Sequence, residues 1–97
     1  MTGYLILDIE IYDFEEFQSY AQQVKYLVED STGKYIFRGG NVENIVGDWQ
    51  PSRLVIVEFP TVAEARELFN SARYKPLREM AQNSSNMNAI VVEGYDF

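Results

Sequence analysis

Twice along the chain an alternating apolar stretch runs almost directly into a helix-capping pair, and this repeated unit limits the fold more than any other feature. In the first copy, Tyr4 to Ile11 sets Leu5, Leu7, Ile9 and Ile11 on one face and Tyr4, Ile6, Asp8 and Glu10 on the other, the two-residue period of a strand. Asp13 with Glu16 three positions on forms a capping box, and Phe14, Phe17, Ala21, Val24 and Val28 follow at helical spacing to about Glu29. The Tyr20, Lys25 and Tyr26 side of this helix reads as solvated. In the second copy, Arg53 to Phe59 is a Val- and Ile-rich strand stopped by Pro60, which cannot donate to a ladder. Thr61 with Glu64 then opens a helix through Ala65, Leu68, Phe69 and Ala72, with a break near Ser71 and Pro76 and a last turn or two through Met80.

Between the copies, Ser31, Thr32 and Gly33 punctuate, and Lys34 to Arg38 reads as a strand. After Gly39 and Gly40 comes a short extended piece, Val42 to Val46, then a turn over Gly47 to Ser52. The polar run QNSSNMN, residues 82 to 88, has no periodicity and reads as a loop, and a last strand covers Ala89 to Tyr95. Strand, helix, strand, strand, helix, strand is the split βαβ order of ferredoxin-like folds, an α+β subunit with a four-stranded antiparallel sheet. At 97 residues there is no room for two independent cores, so one domain over 1–97 is expected.

Right-handed crossovers place both helices on the same side of the sheet. With Leu5, Leu7, Val55, Val57 and Phe59 turned to the helices, the opposite face carries Ile6, Leu54, Ile56, Ile90 and Val92 and remains apolar. A chain this small buries roughly 60 to 65% of its unfolded surface. A hydrophobic content of 46% is therefore generous for a monomer. Pairing two such faces in a homodimer covers them and leaves their polar residues lining an enclosed cleft.

The net charge of −7 repels nucleic acid and anionic membranes, and no basic patch overrides it, so neither is an expected partner. The chain has no cysteine and no histidine, which removes disulfides, thiolate chemistry, the usual transition-metal ligands and the commonest general base near neutral pH. No cofactor and no metal are expected. Neither a secretion signal nor an apolar run of the ~20 residues needed to span a membrane is legible, which gives a cytoplasmic expectation.

Arg38-Gly39-Gly40 admits two readings. Either the glycines permit positive φ at a bend and Arg38 pairs with a carboxylate, or Arg38 is an anion clamp whose planar fork orients a carboxylate or enolate in a cleft. Its expected partners are Asp8, Glu10 and Glu58, on the face away from the helices, although the face that Arg38 itself occupies is not readable. Asp8 and Glu10, two residues apart on one face, are candidate catalytic carboxylates with Arg38, since shared burial would raise at least one pKa. Their structural alternative is an ion-pair network at a dimer cleft. Tyr4, Tyr35 or Phe37, and Trp49 are candidate pocket-lining residues, so that Tyr4, Arg38, Trp49 and Glu58 make the candidate ligand-binding set.

The stretches GYLILDIEIYDFEEFQSY, RGGNVE, GDWQPSRLVIVEFPTVAEA, SARYKPLRE and VVEGYDF, in that order and spacing, resemble the domain of unknown function 1330 family over essentially the whole chain. The resemblance implies a ferredoxin-like subunit that dimerises sheet to sheet as a dimeric α/β barrel, and no established activity. The chain departs from that pattern at Asp8, where many relatives carry a histidine, and in its second helix, where Leu68 and Phe69 replace an aromatic pair. The superfamily also includes cofactor-free monooxygenases, muconolactone isomerase and haem-binding enzymes. Haem is not expected here, because no histidine or cysteine is available as an axial ligand. The reading is a homodimeric small-molecule-binding module for a small acidic or aromatic metabolite. Its alternative is a cofactor-independent isomerase or monooxygenase, with Asp8 or Glu10 as base and Arg38 stabilising an enolate.

Overall fold

The computed structural model describes residues 1–95, so the last two residues of the VVEGYDF stretch, Asp96 and Phe97, lie outside the described residues. Its elements are β1 (Gly3–Ile11), α1 (Phe14–Glu29), β2 (Lys34–Arg38), β3 (Leu54–Phe59), α2 (Val62–Phe69), α3 (Lys75–Ser84) and β4 (Ser85–Glu93). The strands form one sheet in the order β2-β3-β1-β4, every neighbouring pair antiparallel, which is the ferredoxin-like arrangement. No helix among the described residues is long and apolar enough to cross a membrane.

The strand periodicity decides which face the helices cover. Leu5, Leu7 and Ile9 on β1 and Val55, Val57 and Phe59 on β3 are all buried, and the register sets Leu5 opposite Val57 and Leu7 opposite Val55. Against this plate pack Phe17, Tyr20, Leu27 and Val28 of α1, Ala65 and Leu68 of α2, and Leu77 and Ala81 of α3. On the other face Ile6, Leu54, Ile56 and Val92 are half-buried and Ile90 is exposed, with no helix among the described residues to cover them. The apolar open face expected from the sequence is present.

Both capping pairs form as the spacing predicts. Glu16 N–H donates to Asp13 Oδ1 at 3.2 Å, and Glu64 N–H donates to Thr61 Oγ1 at 3.1 Å. The second helix is two helices: α2 ends at Phe69 with Asn70 as its C-cap, and Pro76 enters the first turn of α3, where its missing N–H costs nothing.

Three expectations need correction. The run QNSSNMN is not a loop, because α3 continues through Ser84 and β4 begins at Ser85. Serine hydroxyls replace the turn: Ser84 Oγ donates to Met80 O and Ser85 Oγ to Ala81 O, each at 2.6 Å, which satisfies carbonyls at the helix end. Ser84 O in turn accepts the backbone N–H groups of Tyr12 and Asp13, fixing the junction against the end of β1. Val42 to Val46 is not a strand, since its β-branched residues have no ladder partner, and Ile45 and Val46 are largely exposed. Phe14, placed on the buried stripe by its spacing, is exposed at the first helical position.

At Gly39 two constraints coincide. Its φ is +71°, and a Cβ there would stand 2.5 Å from Nη1 of Arg53, so the Arg53 guanidinium packs on the bare glycine. Gly40 has no positive φ, and a Cβ there would meet Phe37 at an ordinary 3.5 Å. Gly39→Ala should destabilise the protein by about 1–3 kcal/mol, whereas Gly40→Ala should change stability by less than about 1 kcal/mol; urea unfolding of the two variants checks the difference.

Candidate functional site

Between α1 and the sheet the side chains leave a chamber of about 40 Å³. That is several times the ~10–15 Å³ that one water requires. Its floor is the buried plate of β1 and β3, and its far walls are Tyr20, Leu68 and Tyr74. The lining residues near α1 and β2 that reach solvent are Ala21, Val24, Tyr35, Arg38 and Arg53, so the mouth opens between α1 and the edge strand β2.

Aromatic side chains set its chemistry. Tyr20 and Tyr74, 4% and 2% exposed, join their hydroxyls at 2.9 Å, and their rings meet edge to face with centroids 6.4 Å apart. Phe17 packs on Tyr20 at 5.3 Å and Phe69 on Tyr74 at 4.8 Å, so both phenols are held by neighbouring rings. Burial pushes the Tyr20 hydroxyl far up from the ordinary tyrosine range, and the neighbouring Tyr74 adds to it. Tyr74 is also raised by burial, against the opposing pull of its hydrogen bond from Tyr20 and of the Arg78 charge. Tyr35 is raised by burial as well, with Arg38 working against the shift. All three phenols therefore stay protonated near neutral pH, and within the Tyr20–Tyr74 pair one hydroxyl donates to the other.

Two arginines stand at the mouth. Arg38 Nη2 donates to Ala21 O at 2.9 Å, and its guanidinium lies 4.8 Å from the centroid of the Tyr35 ring. A bulge puts it there. Tyr35 pairs with Val57, but the register shifts between Tyr35 and Phe37, so that Phe37 pairs with Ile56 and Arg38 with Val55. Strict alternation from Tyr35 would send Arg38 to the open face; the extra residue, Ile36, sends it to the helix side. The side chain of Arg53, packed on Gly39, has no hydrogen bond or ion pair among the described residues. Among the described residues the ion pairs are Lys25 with Glu29 and Arg73 with Asp30, so neither mouth arginine has a carboxylate partner.

This arrangement separates the residues that the sequence grouped together. Asp8 pairs in register with Leu54 on the open face, whereas Arg38 pairs with Val55 on the other side of the sheet; Arg38 therefore does not meet Asp8, Glu10 or Glu58. The structure instead joins Asp8 to Trp49. Asp8 Oδ1 accepts Ser52 N–H at 3.1 Å, its Oδ2 accepts Trp49 Nε1–H at 3.4 Å, and Asn44 Nδ2 donates to Trp49 O at 2.6 Å, so Asp8 fastens the long β2–β3 loop to the sheet. Tyr4 and Glu58 are register partners on the open face, and Glu10 is exposed near its end. Tyr20 is buried rather than solvated: three residues after Phe17, it lies on the same helical stripe, and that spacing was the available signal. Tyr74 and Arg53 had no sequence signal, because an irregular turn brings in one and a glycine contact places the other.

The model of the family described as "Domain of unknown function (DUF1330)" matches residues 2–95. Among solved structures, the chain is similar to a protein of unknown function from Rhodopseudomonas palustris, with a TM-score of 0.75 at 16% identity over 98% of this chain and 83% of that one. It is also similar to SnoaB, a cofactor-independent oxygenase from Streptomyces nogalater, with a TM-score of 0.71 at 11% identity over 99% and 95% of the two chains. At these identities the likeness is one of fold. No curated protein matches the sequence.

The raised tyrosines give a pH dependence whose sign is fixed. Tyr20 and Tyr74 stay protonated in the folded protein above the ordinary value of 10.0, while the unfolded chain releases those protons. Their contribution is complete below pH 10 and is lost as pH rises beyond it, by up to about 1.4 kcal/mol per pH unit for each phenol still held neutral. Denaturant unfolding between pH 9 and 12 should show this decline. Tyr20→Phe should make it shallower, at a cost near neutral pH of about 1 kcal/mol for the lost hydrogen bond.

Proposed function

The chain belongs to the DUF1330 family, and from that premise we propose that it is a homodimeric small-molecule-binding protein whose ligand is a planar organic anion held in the chamber between α1 and the sheet. The observation that carries this reading is the pair Arg38 and Arg53. In a chain of net charge −7, two guanidiniums border an aromatic chamber, and among the described residues neither has a carboxylate partner. A guanidinium at the partly screened mouth of an apolar cavity gains from a counter-ion, and a ligand carboxylate or enolate supplies one with a bidentate fit. The tyrosine hydroxyls can donate to its remaining oxygens, and the surrounding rings accept a flat apolar body.

At about 40 Å³ the chamber holds water and not yet a ring. Entry therefore requires Arg38 and Tyr35 to swing outward. What holds Arg38 in place is one hydrogen bond to a backbone carbonyl and a ring contact, at an edge strand with a bulge. Asp8 and Glu10 take no part, being on the opposite face.

That opposite face supports the dimer. Ile6, Leu54, Ile56, Ile90 and Val92 form a continuous apolar surface, and two copies laid face to face would remove it from water. The pocket then belongs to each subunit, and the sheet-to-sheet space becomes interface.

A second reading, a cofactor-independent oxygenase, is supported by the fold shared with SnoaB. In this reading the arginines would hold a substrate as its enolate or phenolate. The raised phenols are poor proton acceptors, so the substrate would have to be acidic enough to ionise largely by itself. Such a substrate would consume dissolved oxygen in the protein's presence, whereas a merely bound anion would not.

A thermal-shift panel of aromatic carboxylates, including salicylate and 1-naphthoate, should contain members that raise Tm by several degrees at about ten times Kd. Arg38→Ala should weaken the same compounds at least about tenfold, and Arg38→Lys should fall between because it keeps the charge and loses the fork. An unchanged shift in Arg38→Ala would contradict the site. Separately, sedimentation equilibrium should give a dimer for the wild type and a folded monomer for Ile56→Lys, which buries a charge in the sheet-to-sheet interface.

A further inference from the structure

Behind the chamber lies a second recess that the reading above leaves unused. Phe69 and Tyr74 form the wall between the two, and α3 with the start of β4 borders the other side of this open groove of about 500 Å³. This is within the range of small-molecule sites. Arg78 of α3 borders it.

The surroundings of Arg78 are unusual for a structural arginine. Its guanidinium lies 4.5 Å from the centroid of Phe69 and 5.8 Å from that of Tyr74, and Nη2 donates to Phe69 O at 2.9 Å, near the end of α2. That bond caps the helix and uses one N–H. Nε is buried without a hydrogen-bond partner, and no carboxylate among the described residues is within ion-pair reach. The charge is thus partly desolvated beside the stacked Phe69 and Tyr74 rings and has no carboxylate partner among the described residues, in a chain that carries 15 acidic residues. Capping alone would not require this, since a neutral donor serves as well.

We propose that this recess is a second anion site, for a single-ring aromatic carboxylate. Arg78 supplies the charge, Phe69, Tyr74 and Met87 supply the face on which the ring lies, and the exposed amides of Gln82 and Asn86 meet the carboxylate at the rim. The site is independent of Arg38 and stands whether or not the first chamber binds a ligand.

Methionine methyl NMR reads it directly. The chain has three methionines, Met1, Met80 and Met87, and among them Met87 lines the recess. With the full chain labelled at methionine methyls, benzoate should move the Met87 signal saturably, and benzamide, the same ring without the charge, should not. Arg78→Gln should weaken benzoate at least about tenfold. Asn86→Asp keeps the α2 cap, so it tests the site even if Arg78→Gln fails to fold, and its rim carboxylate should weaken benzoate similarly. Arg38→Ala should leave the Met87 response unchanged, which separates this site from the chamber. Absence of a saturable Met87 shift, an equal response to benzamide, or full binding by Asn86→Asp would overturn the proposal.

Discussion

Burial of a single sheet face under all the helices is the constraint on which the rest of this structure depends. Leu5, Leu7 and Ile9 lie beside Val55, Val57 and Phe59 as one apolar plate, and right-handed crossovers leave the helices no other side to occupy. Two consequences follow. The chamber and the Arg78 recess both lie where the helix layer meets this plate and its edges, and the opposite face is left with Ile6, Ile56 and Ile90 uncovered. The chamber and the open apolar face are thereby separated by the thickness of one sheet.

Much of this was legible in the sequence because it rests on periodicity. β1, β3 and α1 are regular, and the starts of α1 and α2 are marked by the capping side chains of Asp13 and Thr61. What failed were places where a local hydrogen bond replaced a pattern. The junction at Ser84 and Ser85 looks like a polar loop, but two serine hydroxyls bonded back to Met80 and Ala81 let helix run straight into strand. Conversely, Val42 to Val46 has strand composition and no partner strand, and propensity without a ladder does not make a strand.

The site was less legible, for one physical reason above the others. Arg38 could not be assigned a face from the sequence, because a bulged residue at Ile36 reverses every orientation after it and leaves no mark in composition. Once the bulge turns Arg38 toward α1, its neighbours change from Asp8, Glu10 and Glu58 to Tyr20, Tyr35 and Arg53. The carboxylate that the sequence offered as a base, Asp8, is occupied in holding Ser52 and Trp49. The groups brought together change accordingly, from carboxylates facing a cleft to protonated phenols and guanidiniums that have no carboxylate partner among the described residues.

Native mass spectrometry of the freshly purified protein, in wild-type and Arg38→Ala forms, tests this account most directly. The account predicts a species at twice the 11.2 kDa chain mass that carries an additional small organic acid in the wild type and loses it in the variant while remaining a dimer. A bound molecule retained equally by Arg38→Ala, or a wild-type chain that flies as a bare monomer at micromolar concentration, would contradict it.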